Sequence, residues 1–358
     1  MKNKNTALNL FIDPDILASA KVCNRCGVCN QSCPVHRVLQ GETTSPRGRN
    51  QLLRFLTDKK INKSVTKKDI LAPALGCLMC GQCAAACAAG VSAAKHMTAI
   101  KRALDYKDAG NARALFLNLY NKAPSLRAKK TAMHNALYLP GAHTPAALKI
   151  ATASGLNAHV LKSGRPLAEI ALTMPLATLK KTLDNIKADY EAAGNLPLIT
   201  DEIDIYRIIK SAPEISPKYQ ALADNITFIT QLIKKNKINT AAFKGQTLLL
   251  QNNNIFFCQD NILQDVLDLC GGKLLSDPAA HSAGKMPYCG VKAQKEVARA
   301  MARAIAVRRA DIFITLSSAD KTFYKKLLSQ YYPNTKVMHI TEFLEACGPG
   351  LNNPPKTC

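Results

Sequence analysis

Thirteen cysteines occur in the 358 residues, and eight of them lie between positions 23 and 87. They form two sets, Cys23, Cys26, Cys29 and Cys33, then Cys77, Cys80, Cys83 and Cys87, each member of the second set 54 residues after its counterpart. Thiolate is a soft ligand, and cysteines at intervals of three let one loop set each sulfur against a different iron of a cubane. The run Cys-x2-Cys-x2-Cys-x3-Cys, followed by Pro34 in the first copy, is the spacing that holds 4Fe-4S clusters in pairs. In such pairs the fourth cysteine turns away from its own loop and binds the other cluster. The sequence therefore predicts two 4Fe-4S clusters, one on Cys23, Cys26, Cys29 and Cys87, the other on Cys77, Cys80, Cys83 and Cys33. Cross-pairing of this kind ties the two halves together through metal and makes cluster binding part of folding.

Zinc is the competing assignment. Tetrahedral zinc draws cysteine pairs from separate knuckles, not three close cysteines plus a fourth, repeated twice, so iron–sulfur is preferred. One departure is visible: Ala88 stands where the second copy would carry proline. Backbone amides of Gly27, Val28, Gly81 and Gln82 are natural donors to the sulfurs. Arg25, His36 and Arg37 lie close enough in sequence to favour a reduced, more negative centre, with ordinary surface charge as the alternative for all three.

No catalytic residue is assigned. The chain has no Gly-rich phosphate loop, no dinucleotide fingerprint and no hydrolase or zinc-protease pattern, and its seven histidines are scattered. A one-electron carrier without an organic cofactor site needs a partner to handle substrate.

Hydrophobic residues make up 47% and charged residues 20%, as in a soluble globular protein, and no apolar run approaches bilayer length. The basic start is followed by an apolar stretch that Asp13 and Asp15 interrupt, so no signal peptide is read and a cytoplasmic location is expected. In that reducing compartment clustered thiols are metal ligands sooner than disulfides. The net charge is +23, and no acid occurs between Asp108 and Glu169, where Arg113, Lys122, Arg127, Lys129, Lys130, Lys149, Lys162 and Arg165 fall. Two readings stand: a solvated basic surface, or a face for an acidic partner or for anionic lipid, each basic group then adding about 1 kcal/mol. Nucleic acid is not expected, because there is no Trp, aromatics are 6% and no binding motif appears.

The elements that must position the cysteines are helical. Ser45 is read as a cap with Pro46 in the first helical position, and Leu52, Leu53 and Leu56 give that helix an apolar face. A short helix is predicted from Thr66 to Leu75, and Ser92 caps another with Met97, Ile100 and Leu104 on one side. From about Ala109 to Tyr190 the pattern reads as mostly helical. Thr247–Gln251, Ile255–Cys258, Ile312–Leu316 and Val337–Ile340 read as strands, with helices at Asn261–Cys270, Val291–Arg309 and Lys321–Gln330, hence an α/β layer with a largely parallel sheet. The domains expected are 1–107, a helical cluster-binding domain; 108–195, basic and mainly helical; 196–347, α/β; and a loose tail, 348–358.

The cysteine repeat, Ser45-Pro46-Arg47-Gly48-Arg49 between its halves, and Cys77-Leu78-Met79-Cys80-Gly81-Gln82-Cys83 resemble the iron–sulfur subunit of glycolate oxidase. Relatives in that wider family serve lactate oxidation, anaerobic glycerol-3-phosphate dehydrogenase and heterodisulfide reductase. The resemblance implies an α plus α/β fold, a dicluster ferredoxin domain followed by a degenerate pair of α/β Cys-Cys-Gly-type repeats. It also implies an FAD-containing dehydrogenase subunit as electron donor, and a quinone or other acceptor at the inner face of the cell membrane. The second-half cysteines of that family are largely missing here. Glu202 follows Thr200-Asp201 where cysteine is usual, Tyr288 precedes Cys289-Gly290, Thr315–Asp320 lacks its closing cysteine, and His339–Leu344 resembles the closing strand and helix. Cys258, Cys270 and Cys289 are read as small buried residues rather than a remnant metal site. A reductase with its own C-terminal redox centre is the rival reading.

Overall fold

The computed structural model describes residues 14–57, 65–103, 134–141, 144–161, 176–233, 243–252, 274–281 and 291–347. Its first part consists of α1 Pro14–Lys21, α2 Val28–Ser32, α3 Pro34–Leu39, α4 Pro46–Thr57, α5 Lys67–Leu75, α6 Gln82–Ala85 and α7 Ala93–Ala103. These helices begin where capping chemistry places them. Ser45 Oγ accepts from the Gly48 amide at 2.8 Å, with Pro46 opening α4. Thr66 and Asp69 cap each other at the start of α5, and Ser92 Oγ accepts from the Lys95 amide ahead of α7. Helices α1, α4, α5 and α7 close on Ala20, Leu53, Ile70, Ala74, Met97 and Ile100. The larger of these side chains each contribute about 1.5–3 kcal/mol by leaving water.

The remainder is built on two four-stranded sheets. Strands β1 Ala136–Leu139, β2 Ala158–Val160, β3 Leu198–Thr200 and β4 Ile226–Phe228 lie in the order β2-β1-β3-β4. Strands β5 Leu248–Asn252, β6 Leu274–His281, β7 Ile312–Thr315 and β8 Lys336–His339 repeat that order as β6-β5-β7-β8. Among the described residues every pairing is parallel. Strands β1 and β7 are buried throughout and, apart from Thr315, built of hydrophobic residues, as suits strands covered on both faces. The last strand of each sheet ends in the same device: Gln231 accepts from the Phe228 amide and Glu342 from the His339 amide, both at 2.9 Å. One core serves both sheets, with Tyr206 and Phe228 from the first and Ile314, Met338 and Phe343 from the second. Where the turns after β3 and β7 meet, the Ile203 amide donates to the Leu316 carbonyl and the Ser318 amide to the buried Glu202 carboxylate at 3.1 Å. Burial, with Asp204 and Asp201 beside it, pushes the Glu202 carboxyl well above its ordinary range.

The structure corrects the reading of residues 109–190 as mainly helical. Helices Thr144–Ala153 and Leu176–Ala192 are present, but β1 and β2 lie among them and pair, through β1, with β3. The boundary drawn at 195 therefore falls inside a sheet. Strands of three or four residues embedded in Ala-rich sequence are too short to show a period of their own. Beyond residue 246, β5, β7, β8 and the helices Val291–Val307 and Ser318–Tyr331 fall where the sequence pattern places them, while β6 lies where it predicts no strand. The expected strand Ile255–Cys258, the helix Asn261–Cys270, Cys258, Cys270, Tyr288-Cys289-Gly290 and the tail from Gly348 lie outside the described residues. So do Arg113, Lys122, Arg127, Lys129, Lys130, Lys162 and Arg165; of that basic set Lys149 is described, paired with Glu345.

Candidate metal centre

The two cysteine loops share a backbone as well as a spacing. In the first, Arg25 and Gly27 are left-handed at φ 65° and 81°; in the second, Met79 and Gly81 are left-handed at 54° and 88°. These pairs stand 54 residues apart, like the cysteines. Glycine adopts that conformation without a Cβ penalty, whereas Arg25 and Met79 hold it under strain. Alternation of backbone hand turns successive N–H groups toward one concave side, which suits an anion. Each loop then enters a short helix, α2 or α6, that carries its third cysteine.

The folded chain brings the eight thiols into two groups. A cavity of about 90 Å³ is lined by Cys23, Cys26, Cys29 and Cys87, with Cys83 also on its wall. A tighter one of about 20 Å³ is lined by Cys33, Cys77, Cys80 and Cys83. The electrostatics divide the same way. Burial, and then Cys23, Cys87 and Cys26, push the Cys29 thiol up to about 11. Burial, and then Cys77, Cys80 and Cys33, push Cys83 well above the thiol range. Each group thus joins three cysteines of one loop to one of the other. Among the described residues no group of three or more His, Cys, Asp or Glu side chains is set to hold a single metal ion. A cubane holds its thiolates apart at four separate irons, so four thiols around a cavity fit that larger group, and in the inner one the Met79 amide donates to Cys77 Sγ at 3.4 Å.

The missing proline has a structural consequence. After Cys33, Pro34 opens α3; after Cys87, Ala88 and Ala89 enter a turn closed by the Gly90 amide on the Cys87 carbonyl at 3.0 Å.

The residues around the thiols differ between groups. Cys33 Sγ accepts from the His36 amide at 3.5 Å and from the Arg49 guanidinium at 3.7 Å. Arg49 is 2% exposed, and its other donors meet the carbonyls of Pro73 and Gly76 at 3.1 and 2.9 Å. Burial works against its charge, but Cys77 and Cys33 more than offset that and raise its pKa. Buried Lys101 donates to the Cys77 carbonyl at 3.0 Å. Cys23 Sγ accepts instead from the neutral amide of Asn50, at 3.7 Å. Of the cations singled out from sequence, Arg25 and Arg37 are exposed, and His36 turns its ring to the Gly41 carbonyl. The buried charge belongs to Arg49 and Lys101. Sequence carries no signal for this beyond the place of Arg49 in the Ser45–Arg49 segment.

Asn50 is itself held. His96 Nδ1 lies 2.6 Å from Asn50 Oδ1, and His96 Nε2 lies 2.7 Å from Ser19 Oγ. His96 thus bridges Asn50 and Ser19, whose own hydroxyl donates to the Ile16 carbonyl at 2.9 Å. Burial, and then Lys95, lower the His96 pKa to about 4. The unfolded chain binds that proton near pH 6.5, so the folded state binds fewer protons between the two values. The contribution is complete above pH 6.5 and is lost as pH falls through 4, up to about 3 kcal/mol. Urea unfolding of wild type and His96→Gln at steps from pH 7.5 to 4 should show the wild type losing more stability over this window. Parallel curves would refute it.

With this geometry in hand, the first part of the chain defines an iron–sulfur electron-transfer domain. Residues 19–91 match the family described as 4Fe-4S dicluster domain. No curated protein and no solved structure matches the chain. Among the described residues no helix is long and apolar enough to cross a membrane.

Proposed function

We propose that the chain holds two 4Fe-4S clusters, one on Cys23, Cys26, Cys29 and Cys87 and one on Cys77, Cys80, Cys83 and Cys33. On this reading it is the electron-transfer subunit of a flavin-dependent 2-hydroxyacid dehydrogenase of the glycolate or lactate type. The observation that carries the first part is the sorting of eight thiols into two groups, each completed by a cysteine from the opposite loop. The second part is supported by the Ser45–Arg49 segment and by two parallel sheets of identical strand order, as expected of a degenerate pair of Cys-Cys-Gly-type repeats.

When bound, the clusters supply one-electron transfer at low potential. The protein's own part is to hold the thiolates, to turn backbone amides toward the sulfurs and to exclude water from the inner group. Substrate is oxidised on a separate FAD subunit, and electrons leave toward a quinone or other acceptor, with the acid-free basic stretch between Asp108 and Glu169 as the contact for that partner or for anionic lipid at the inner membrane face.

Anaerobic reconstitution with iron and sulfide counting tests the first part: about eight irons per chain are expected, and about four would overturn it. Mild affinity purification from the native host tests the second. A flavoprotein should co-purify with 2-hydroxyacid-dependent dye reduction, and its absence would refute the partnership.

A further inference from the structure

On the reading that both thiol groups hold a cubane, we propose that Arg49 and Lys101 make the inner group of Cys33, Cys77, Cys80 and Cys83 the electron sink of the pair. An electron arriving at the outer group then moves inward.

The two groups differ first in access. Cys26 is exposed at the mouth of the outer group, and Val22 and Val28 beside it are 59% and 58% exposed. Cys33, Cys77 and Cys83 are buried, and Cys33 and Leu78 pack with Leu249, Met301, Phe313 and Tyr324 of the second sheet's layer. The outer group is therefore the one a donor protein can approach.

Burial alone would set the order the wrong way, because reduction adds negative charge and a low-dielectric site disfavours it. The fixed charges reverse this. Arg49 is buried against Cys33, and among the described residues its hydrogen-bond partners are that sulfur and two carbonyls, none a carboxylate. Lys101, buried in α7, places a second ammonium on the Cys77 backbone. Charges in such a site act with little screening. The outer group also has cations, but they are weaker in effect. Arg47 is partly exposed and paired in two-pronged fashion with Glu42, and Arg54, on the Cys23 carbonyl, is half-buried. Its sulfur contact comes from Asn50, which is neutral. The step moves one electron: the outer centre is oxidised as the inner is reduced, and no bond or proton changes hands.

The test is a redox titration of the anaerobically reconstituted full chain, followed by electron paramagnetic resonance. Wild type should show two 4Fe-4S signals of separate midpoint. In Arg49→Met the higher-potential signal should fall so that its reduced fraction relative to oxidised drops at least tenfold at fixed potential, about 59 mV for one electron. The lower signal should stay in place. Arg49→Lys, which keeps the charge and loses the fork, should fall between. If Arg49→Met does not retain iron, Lys101→Gln decides, with a shift of the same signal in the same direction. Equal midpoints in wild type, or variants that move neither signal or only the lower one, overturn the proposal. An iron content of one cubane would instead overturn the two-cluster reading on which it rests.

Discussion

Replacing Cys33 by Ser is expected to remove about four irons per chain, and to remove them from the site of Cys77, Cys80 and Cys83 rather than from that of its own loop. The geometry gives the reason: Cys33 faces the inner cavity and interacts with Cys83, while Cys87 lines the outer cavity and interacts with Cys29. Combined substitutions separate this from simple pairing within each loop. Cys33→Ser with Cys80→Ser should lose no more iron than either alone, since both act on one centre. Cys33→Ser with Cys26→Ser should lose all of it. If each loop held its own cluster, the two outcomes would be exchanged. Stability should fall as well, on the order of several kcal/mol, because the lost centre bridges the halves of the domain. Iron and sulfide analysis with urea unfolding of the four variants reads both effects.

The division of the thiols into two groups was legible because a repeat of cysteines at fixed intervals leaves few other uses for itself. The helix starts at Pro46 and Ala93 were legible for a local reason: Ser45 and Ser92 cap within their own turn. What surrounds the thiols was not. Arginine and lysine in a sequence read as surface charge, since they are seldom fully buried. Nothing near Arg49 or Lys101 announces that one lies on Cys33 Sγ and the other on the Cys77 carbonyl, 16 and 24 residues away. The contacts linking Ser19, His96, Asn50 and Cys23 join residues 77, 46 and 27 positions apart, beyond any local pattern. The first sheet was hidden for another reason. Its strands are three or four residues long, and their apolar character cannot be told from that of the helices between them. The sheet becomes evident only when Leu137 is seen beside His159 and Leu198.

Gly48→Ala is expected to be severely destabilising, although alanine normally favours a helix over glycine by about 1 kcal/mol. Gly48 lies in the first turn of α4, where that helix crosses the 3₁₀ turn Glu42–Thr44. A Cβ there would stand 2.0 Å from the Glu42 carbonyl oxygen and 2.8 Å from its carbon. Both are backbone atoms, so no rotamer change relieves the overlap. The turn is also held: the Thr44 amide donates to the Gly41 carbonyl at 3.1 Å, and Arg47 grips the Glu42 carboxylate at 2.8 and 2.9 Å. Either that turn peels away or the start of α4 moves, and Arg49 and Asn50 sit on the next two positions of α4. The change should therefore cost about 3 kcal/mol or more and reduce iron retention, first at the inner group. Gly41→Ala is the control, since its nearest neighbour would be Thr44 Oγ1 at 3.5 Å and its φ is −84°. That variant should stay within about 1 kcal/mol of wild type. Urea unfolding and iron content of both variants decide the matter: a Gly48→Ala protein as stable as Gly41→Ala would mean that the packing of α4 against Glu42 does not set the position of Arg49.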